Sequence, residues 1–251
     1  MGVKVKNIIK IYIKQYISTK PRGKISSAVK NCFLKIFREK KLKNCLQAEI
    51  PWVSYNCQQL ITNLLQNKKE KTIRIAEFGG GGSTLFFLSR ASCLVTVEHD
   101  PQWFALINST VSAKGYEKKW TAILVPPDLG PPTLPYDYAD PDNYSSSESQ
   151  NVHYKSYACA LDAYPDSFFD LILVDGRARP ACVKHATPKI ISEGHLIMDN
   201  TERSYYLEEK TRRYLAEFSV VFDEFGPVPG LDHFTRSTVF QKRPVQLKEI
   251  I

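Results

Sequence analysis

Two groups of residues in this chain have the types and spacing to do chemistry. Asp175 closes the apolar run Asp170-Leu-Ile-Leu-Val-Asp-Gly176, and Asp199-Asn200 closes His195-Leu-Ile-Met-Asp-Asn200. Both runs read as buried strands, so three side-chain oxygen donors meet at neighbouring strand ends. Hard oxygen ligands suit Mg²⁺, Mn²⁺ or Ca²⁺, and such an ion lowers the pKa of a hydroxyl bound to it. The second group is Arg74-Ile-Ala-Glu-Phe-Gly-Gly-Gly-Gly-Ser-Thr84 followed by Leu94-Val-Thr-Val-Glu-His-Asp100. It reads as a strand, a glycine turn, a helix and a second strand ending in a carboxylate. Glu98 lies 19 residues beyond Gly79, where a nucleotide-binding α/β sheet presents an acid to a ribose. This unit reads as the site of an adenosine-containing cofactor. A tight strand-to-helix connection in an unrelated α/β protein is the plain alternative.

The elements that must position these residues follow from the pattern. Val53, Cys57, Leu60, Ile61, Leu64 and Leu65 mark a helix over Trp52–Asn67. Strand one spans Thr72–Phe78, helix one starts near Ser83 with its amides toward the cofactor, and strand two spans Cys93–Glu98. A helix over Pro101–Ser112 opens on proline, and strand three spans Thr121–Val125. After the fourth strand, a helix over Ala181–Ile191 leads through Gly194 into the fifth. Ser219–Phe225 and Ser237–Gln241 read as an antiparallel pair around Gly226-Pro-Val-Pro-Gly230. From Pro126 to Pro165 no apolar period is visible. That stretch is read as a lid with Tyr136, Tyr138, Tyr144, His153, Tyr154 and Tyr157 as contacts, a disordered insertion being the alternative.

Glu77, Gly79, Gly81 and Ser83 together form Glu-x-Gly-x-Gly-x-Ser, which resembles the first motif of class I S-adenosylmethionine-dependent methyltransferases. Val97-Glu98-His99-Asp100 resembles that family's second motif, and the resemblance runs in order over roughly residues 50–243. It implies a Rossmann-like seven-stranded, mostly parallel α/β sheet of order 3-2-1-4-5-7-6 with helices on both faces. It also implies S-adenosyl-L-methionine as cofactor, contacted by Glu77, Gly79, Gly81, Ser83, Glu98 and, after strand three, Asp128. The Asp175…Asp199-Asn200 arrangement is similar to the metal site of catechol-type and caffeoyl-CoA-type O-methyltransferases, implying Mg²⁺ or another divalent cation on those three residues. One position departs from that group: its lysine, considered the catalytic base, is Ala178 here, between Arg177 and Arg179. The metal then either survives without the lysine or the likeness is only that of two acidic strand ends. Arginine does not deprotonate in proteins, so the flanking pair suits an acceptor's phosphate or carboxylate instead.

The catalytic candidates are therefore Asp175, His153 in the lid and His233 near the C-terminal strand pair. His99, His185 and His195 read as structural. Trp103 either covers the adenine or belongs to an apolar helix face. Asp175-Gly-Arg-Ala replaces the Asp/Asn-Pro-Pro-Tyr/Phe that holds an exocyclic amine, which argues against adenine or glutamine N-methylation. The expected activity is methyl transfer to an oxygen of a small molecule or glycan. The alternatives are aminopropyl transfer on the same fold and a non-catalytic membrane-associated binding protein.

Charge and composition set the remaining bounds. Hydrophobic residues make up 43% of the 251, ordinary for a folded protein, and the phosphate-loop Gly-Lys-Ser/Thr of NTPases is absent. The net charge is +8, yet residues 1–45 carry thirteen Lys/Arg against one acid, Glu39, so the rest is net acidic. Val5, Ile8, Ile9, Tyr12, Ile13 and Tyr16 form one helical stripe, and Val29, Cys32, Phe33, Ile36 and Phe37 a second. A basic amphipathic extension over 1–48 ahead of a catalytic domain over 49–251 is the expected organisation. Its partner is the domain itself, a second copy in a homodimer, or an anionic membrane surface. Nucleic acid is not expected, since no arginine-aromatic patch accompanies the lysines. Six cysteines without paired spacing, no secretory signal and no bilayer-length apolar run point to a cytoplasmic protein, peripheral at a membrane if the extension binds one.

Overall fold

The computed structural model describes residues 45–66, 72–130, 136–149, 151–229, 231 and 234–244. The two basic helices expected before residue 45 lie outside these residues, as does His233. The elements are α1 (Cys45–Ala48), α2 (Tyr55–Gln66), β1 (Arg74–Phe78), α3 (Gly82–Leu88), β2 (Cys93–Glu98), α4 (Pro101–Ala113), β3 (Trp120–Leu124), β4 (Asp128–Leu129), β5 (Val152–His153) and α5 (Lys155–Ala158). There follow β6 (Phe169–Val174), α6 (Arg179–Ala186), β7 (Ile190–Met198), α7 (Glu209–Arg212), β8 (Phe218–Pro227) and β9 (Phe234–Lys242).

Seven strands form one sheet in the order β3-β2-β1-β6-β7-β9-β8. Because among the described residues β4 and β5 pair only with each other, this is the expected 3-2-1-4-5-7-6 when the sheet's own strands are counted. β3, β2, β1, β6 and β7 run parallel, and β9 is antiparallel to both β7 and β8. Phe78 pairs with Val97 on one side and Val174 on the other, and Val174 pairs with Met198. Glu98, Asp175 and Asp199 thus follow the same edge, the carboxyl ends of the parallel strands.

The period of two along each strand sorts the core into two layers. Phe78, Val97, Val174 and Met198 face Tyr154, Tyr157, Ala181 and Cys182. Ile75, Leu94, Leu173 and Ile197 face Ile61, Leu85, Leu88, Ile107 and Val111. Glu77 shares the parity of Ile75, so its carboxyl points into the second layer, against α3. The α2 helix starts later than Trp52 because Ser54 caps it, accepting from the Cys57 amide at 3.3 Å.

Two expectations need correction. The helix after β6 ends at Ala186, not Ile191: Pro188 lies in the 3₁₀ turn Thr187–Lys189, and Ile190 already pairs with Phe169. Gly194 sits inside β7 at the register shift, where a Cβ would lie 2.7 Å from the Ile190 side chain. The stretch from Pro126 to Pro165 is not a detachable lid in its second half. Tyr154 and Tyr157 are fully buried core residues, and the β4–β5 pair and α5 fold onto the sheet. Tyr136, Tyr138 and Tyr144 remain part-exposed. Among the described residues no helix is long and apolar enough to cross a membrane.

Candidate functional site

The glycine turn is fixed by backbone contacts. The Gly79 amide donates to Val97 O at 2.8 Å, and the Asp175 amide to Phe78 O at 3.0 Å. Gly79 has φ +90°, and a Cβ there would meet the Gly176 backbone at 3.0 Å. Gly81 donates to Thr84 Oγ1 at 2.9 Å, which closes the turn into α3. Residues from other segments hold the turn from outside. The Trp103 indole donates to Gly80 O at 2.8 Å, so Trp103 is a clamp on the loop. Cys45 and Ile50 lay their carbonyls where a Gly82 Cβ would come within 2.4 Å. The segment carrying α1 therefore packs against the body.

Two acids flank this turn in different states. Glu77 is wholly buried, accepting from Thr84 Oγ1 at 2.5 Å and Thr96 Oγ1 at 2.8 Å. Burial pushes its pKa up to about 7, against lowering contacts from Ser83, Thr84 and Thr96. Glu98 accepts from the amides of Gly80 (2.9 Å), His99 (2.7 Å) and Asp100 (2.9 Å). Burial pushes its pKa up, but His99 and the amides of Asp100 and Gly80 outweigh it and hold the carboxyl below the usual range. An ionised acceptor therefore stands at the end of β2, beside part-exposed Gly79 and Gly80. That is the charge state and place the two hydroxyls of a ribose need, so these residues fit the adenosine half of S-adenosylmethionine.

Asp128, expected to contact the adenine, is tied to the segment that follows β5. Its carboxylate accepts from the Ser156 amide (2.9 Å) and hydroxyl (2.5 Å), tying down α5, and lies 3.3 Å from His153 Nδ1. His153 thus has a carboxylate orienting its ring and stays part-exposed.

Arg177 and Arg179, two residues apart and alike in type, have opposite fates. Arg179 is buried, donating to Gly176 O (3.0 Å), Asp175 O (3.0 Å) and Asp199 O (2.5 Å), with Nη2 also 3.0 Å from Asp175 Oδ1. It pins the ends of β6 and β7 together and is unavailable to a substrate. Arg177 is part-exposed; its Nε donates to His99 Nε2 at 3.2 Å, and it pairs with Glu148. Ala178 between them takes φ +43°, the turn that throws the two side chains apart.

Asp175, Asp199 and Asn200 are brought to one edge, but both aspartates are already engaged. Asp199 is buried, its Oδ1 accepting from Ser237 at 2.6 Å. Burial and the nearby Asp175 push its pKa up. Burial also raises Asp175, against the Arg179 charge. Asn200 turns at φ +55°. With a guanidinium against Asp175, the set does not fit a divalent ion unless Arg179 withdraws from its three carbonyls.

No family model and no curated protein matches the chain at the level of sequence. Solved structures do match in fold. A putative O-methyltransferase from Klebsiella pneumoniae superposes with a TM-score of 0.51 at 17% identity, covering 93% of this chain and 96% of that one. The cofactor-bound protein Rv0187 from MTB gives 0.50 at 14% identity, covering 92% and 96%.

Proposed function

We propose that this chain, whose fold is that of the class I S-adenosylmethionine-dependent methyltransferases, transfers a methyl group to a hydroxyl oxygen of a small molecule or glycan. The observation that carries the reading is Glu98: an ionised carboxylate at the end of β2, held by the amide of the glycine turn at 2.9 Å. Glu98 takes the ribose hydroxyls, while Gly79 and Gly80 let the backbone approach the ligand. When bound, S-adenosylmethionine supplies an electrophilic methyl on a sulfonium. The chain has to hold an acceptor hydroxyl in line with it and receive its proton.

Asp175 is assigned that second task. It stands at the carboxyl end of β6, part-exposed, with one oxygen beside Arg179 and a raised affinity for protons from burial. Asp175 would hold the acceptor hydroxyl and receive its proton during methyl transfer. Arg179 fixes the position of the Asp175 carboxylate, and no metal step is invoked. His153, oriented by Asp128, is the alternative base.

The test is calorimetric titration with S-adenosylhomocysteine, beside Glu98→Ala and Glu98→Gln. Micromolar binding abolished in Glu98→Ala, with the variant's circular dichroism unchanged, supports the cofactor assignment. Failure of the well-folded wild-type protein to bind sinks it. A polyamine formed from decarboxylated cofactor, with no methylated product from any acceptor, moves the reading to aminopropyl transfer.

A further inference from the structure

The loops after β6 and β7 each carry one part-exposed arginine to the carboxyl edge of the sheet. Arg177 lies two residues beyond Asp175, and Arg203 three beyond Asn200. Both guanidinium groups are turned onto a single carboxylate, that of Glu148. Glu148 Oε1 lies 2.8 Å from Arg203 Nη1, and Glu148 Oε2 contacts Arg177 Nη1. Each arginine is also held from behind: Arg177 by His99, and Arg203 by the Tyr206 hydroxyl at 3.0 Å. His99 accepts from Arg177 through Nε2, and its Nδ1 lies 2.7 Å from Glu98, so the pair is keyed to the cofactor acid.

Two like charges converge here only because an anion stands between them. The anion is the least anchored of the three. The Glu148 side chain is 43% exposed, against 27% for Arg177 and 35% for Arg203. It sits on the short Ser146–Ser149 turn, closed by one backbone hydrogen bond of 3.1 Å. An exposed ion pair contributes little, so Glu148 is readily displaced by an anion with more oxygens to offer two planar forks. Beside the arginines run aromatic faces: the Tyr205 and Tyr138 rings lie 6.4 Å apart, and the Ser147 hydroxyl meets Tyr205 OH at 2.9 Å.

We infer that Arg177 and Arg203 form an anion subsite for the acceptor, that Glu148 occupies it as an internal mimic, and that the acceptor is a ring compound bearing a phosphate or carboxylate. Only its being the acceptor's subsite rests on the methyl-transfer reading; the anion site itself does not. An arriving anion takes both arginines, frees Glu148 and brings the attached ring along Tyr205 and Tyr138, with its hydroxyl toward Asp175.

The test is binding of phenyl phosphate, benzoate and phenol to the full-length protein by calorimetry, with S-adenosylhomocysteine titrated in parallel. Glu148→Gln removes the competing charge at constant shape, and one or both anions should then bind roughly tenfold tighter or more, phenol being unchanged. Adding Arg203→Gln to that variant should abolish the gain while S-adenosylhomocysteine binding persists. The tighter of the two anions identifies the acceptor's group. Equal anion binding by wild type and Glu148→Gln, no anion binding by either, or indifference to Arg203→Gln overturns the inference. If the anions behave as expected but wild type fails to bind S-adenosylhomocysteine, the anion site stands and the methyl-transfer reading falls.

Discussion

Glu77 offers a sharp test because its burial makes a signed statement about stability and pH. Its folded-state pKa is raised from 4.5 to about 7, so the folded protein holds this proton more tightly than the unfolded chain does. The favourable contribution is complete below pH 4.5 and is lost as pH rises through 7. Working the linkage with those two values, the loss between pH 5 and pH 8 is about 2.5 kcal/mol. Glu77→Gln keeps the shape and an oxygen to accept from Thr84 and Thr96 but has nothing to titrate. Its stability relative to wild type should therefore rise by about 2.5 kcal/mol from pH 5 to pH 8, while titrations common to both proteins cancel. Urea unfolding of both proteins at four pH values, with matched m-values, reads this directly. A difference that stays flat with pH, or falls, refutes the argument that the Glu77 carboxyl is desolvated.

Further outcomes follow from the same geometry. Asp175→Asn should lower kcat by about 10²-fold or more and leave S-adenosylhomocysteine affinity within about threefold, whereas His153→Gln should cost less than tenfold. The reverse ranking in steady-state kinetics hands the base to His153. Chelation with EDTA should leave methyl transfer unchanged, since Arg179 already neutralises Asp175; activity restored only by added Mg²⁺ would show that the arginine yields to a metal. Arg179→Met should destabilise by about 3–5 kcal/mol in urea melts at neutral pH, because it strips the charge partner from Asp175 and three carbonyls of their donor. Trp103→Phe should weaken S-adenosylhomocysteine binding by about fivefold through loss of one hydrogen bond that holds Gly80.

Much of the fold is legible because its signals are local. The alternation in Ile75–Phe78 and Cys93–Glu98, the glycine turn and the apolar run before Asp175 belong to single segments whose period reports their structure. Where a second segment decides, the reading slips. Ile190 and Ile191 continue a helical pattern in sequence, but pairing with Phe169 turns them into strand. The stretch around Tyr154 and Tyr157 has no period of its own, and its tyrosines are core only because β1, β2 and β6 present Phe78, Val97 and Val174 to them.

The sequence by itself determined the strands and which strand ends carry Glu98, Asp175, Asp199 and Asn200, since these follow from short-range patterns, while the sheet order was what the resemblance of its motifs implies. Tertiary structure alone decided what each polar group is spent on. Asp128 went to Ser156, Trp103 to Gly80, Arg179 to three carbonyls, and Arg177 to a carboxylate 29 residues earlier in the chain. The physical reason is that a hydrogen bond or ion pair depends on distances of about 3 Å between segments far apart in sequence, on which composition and spacing are silent.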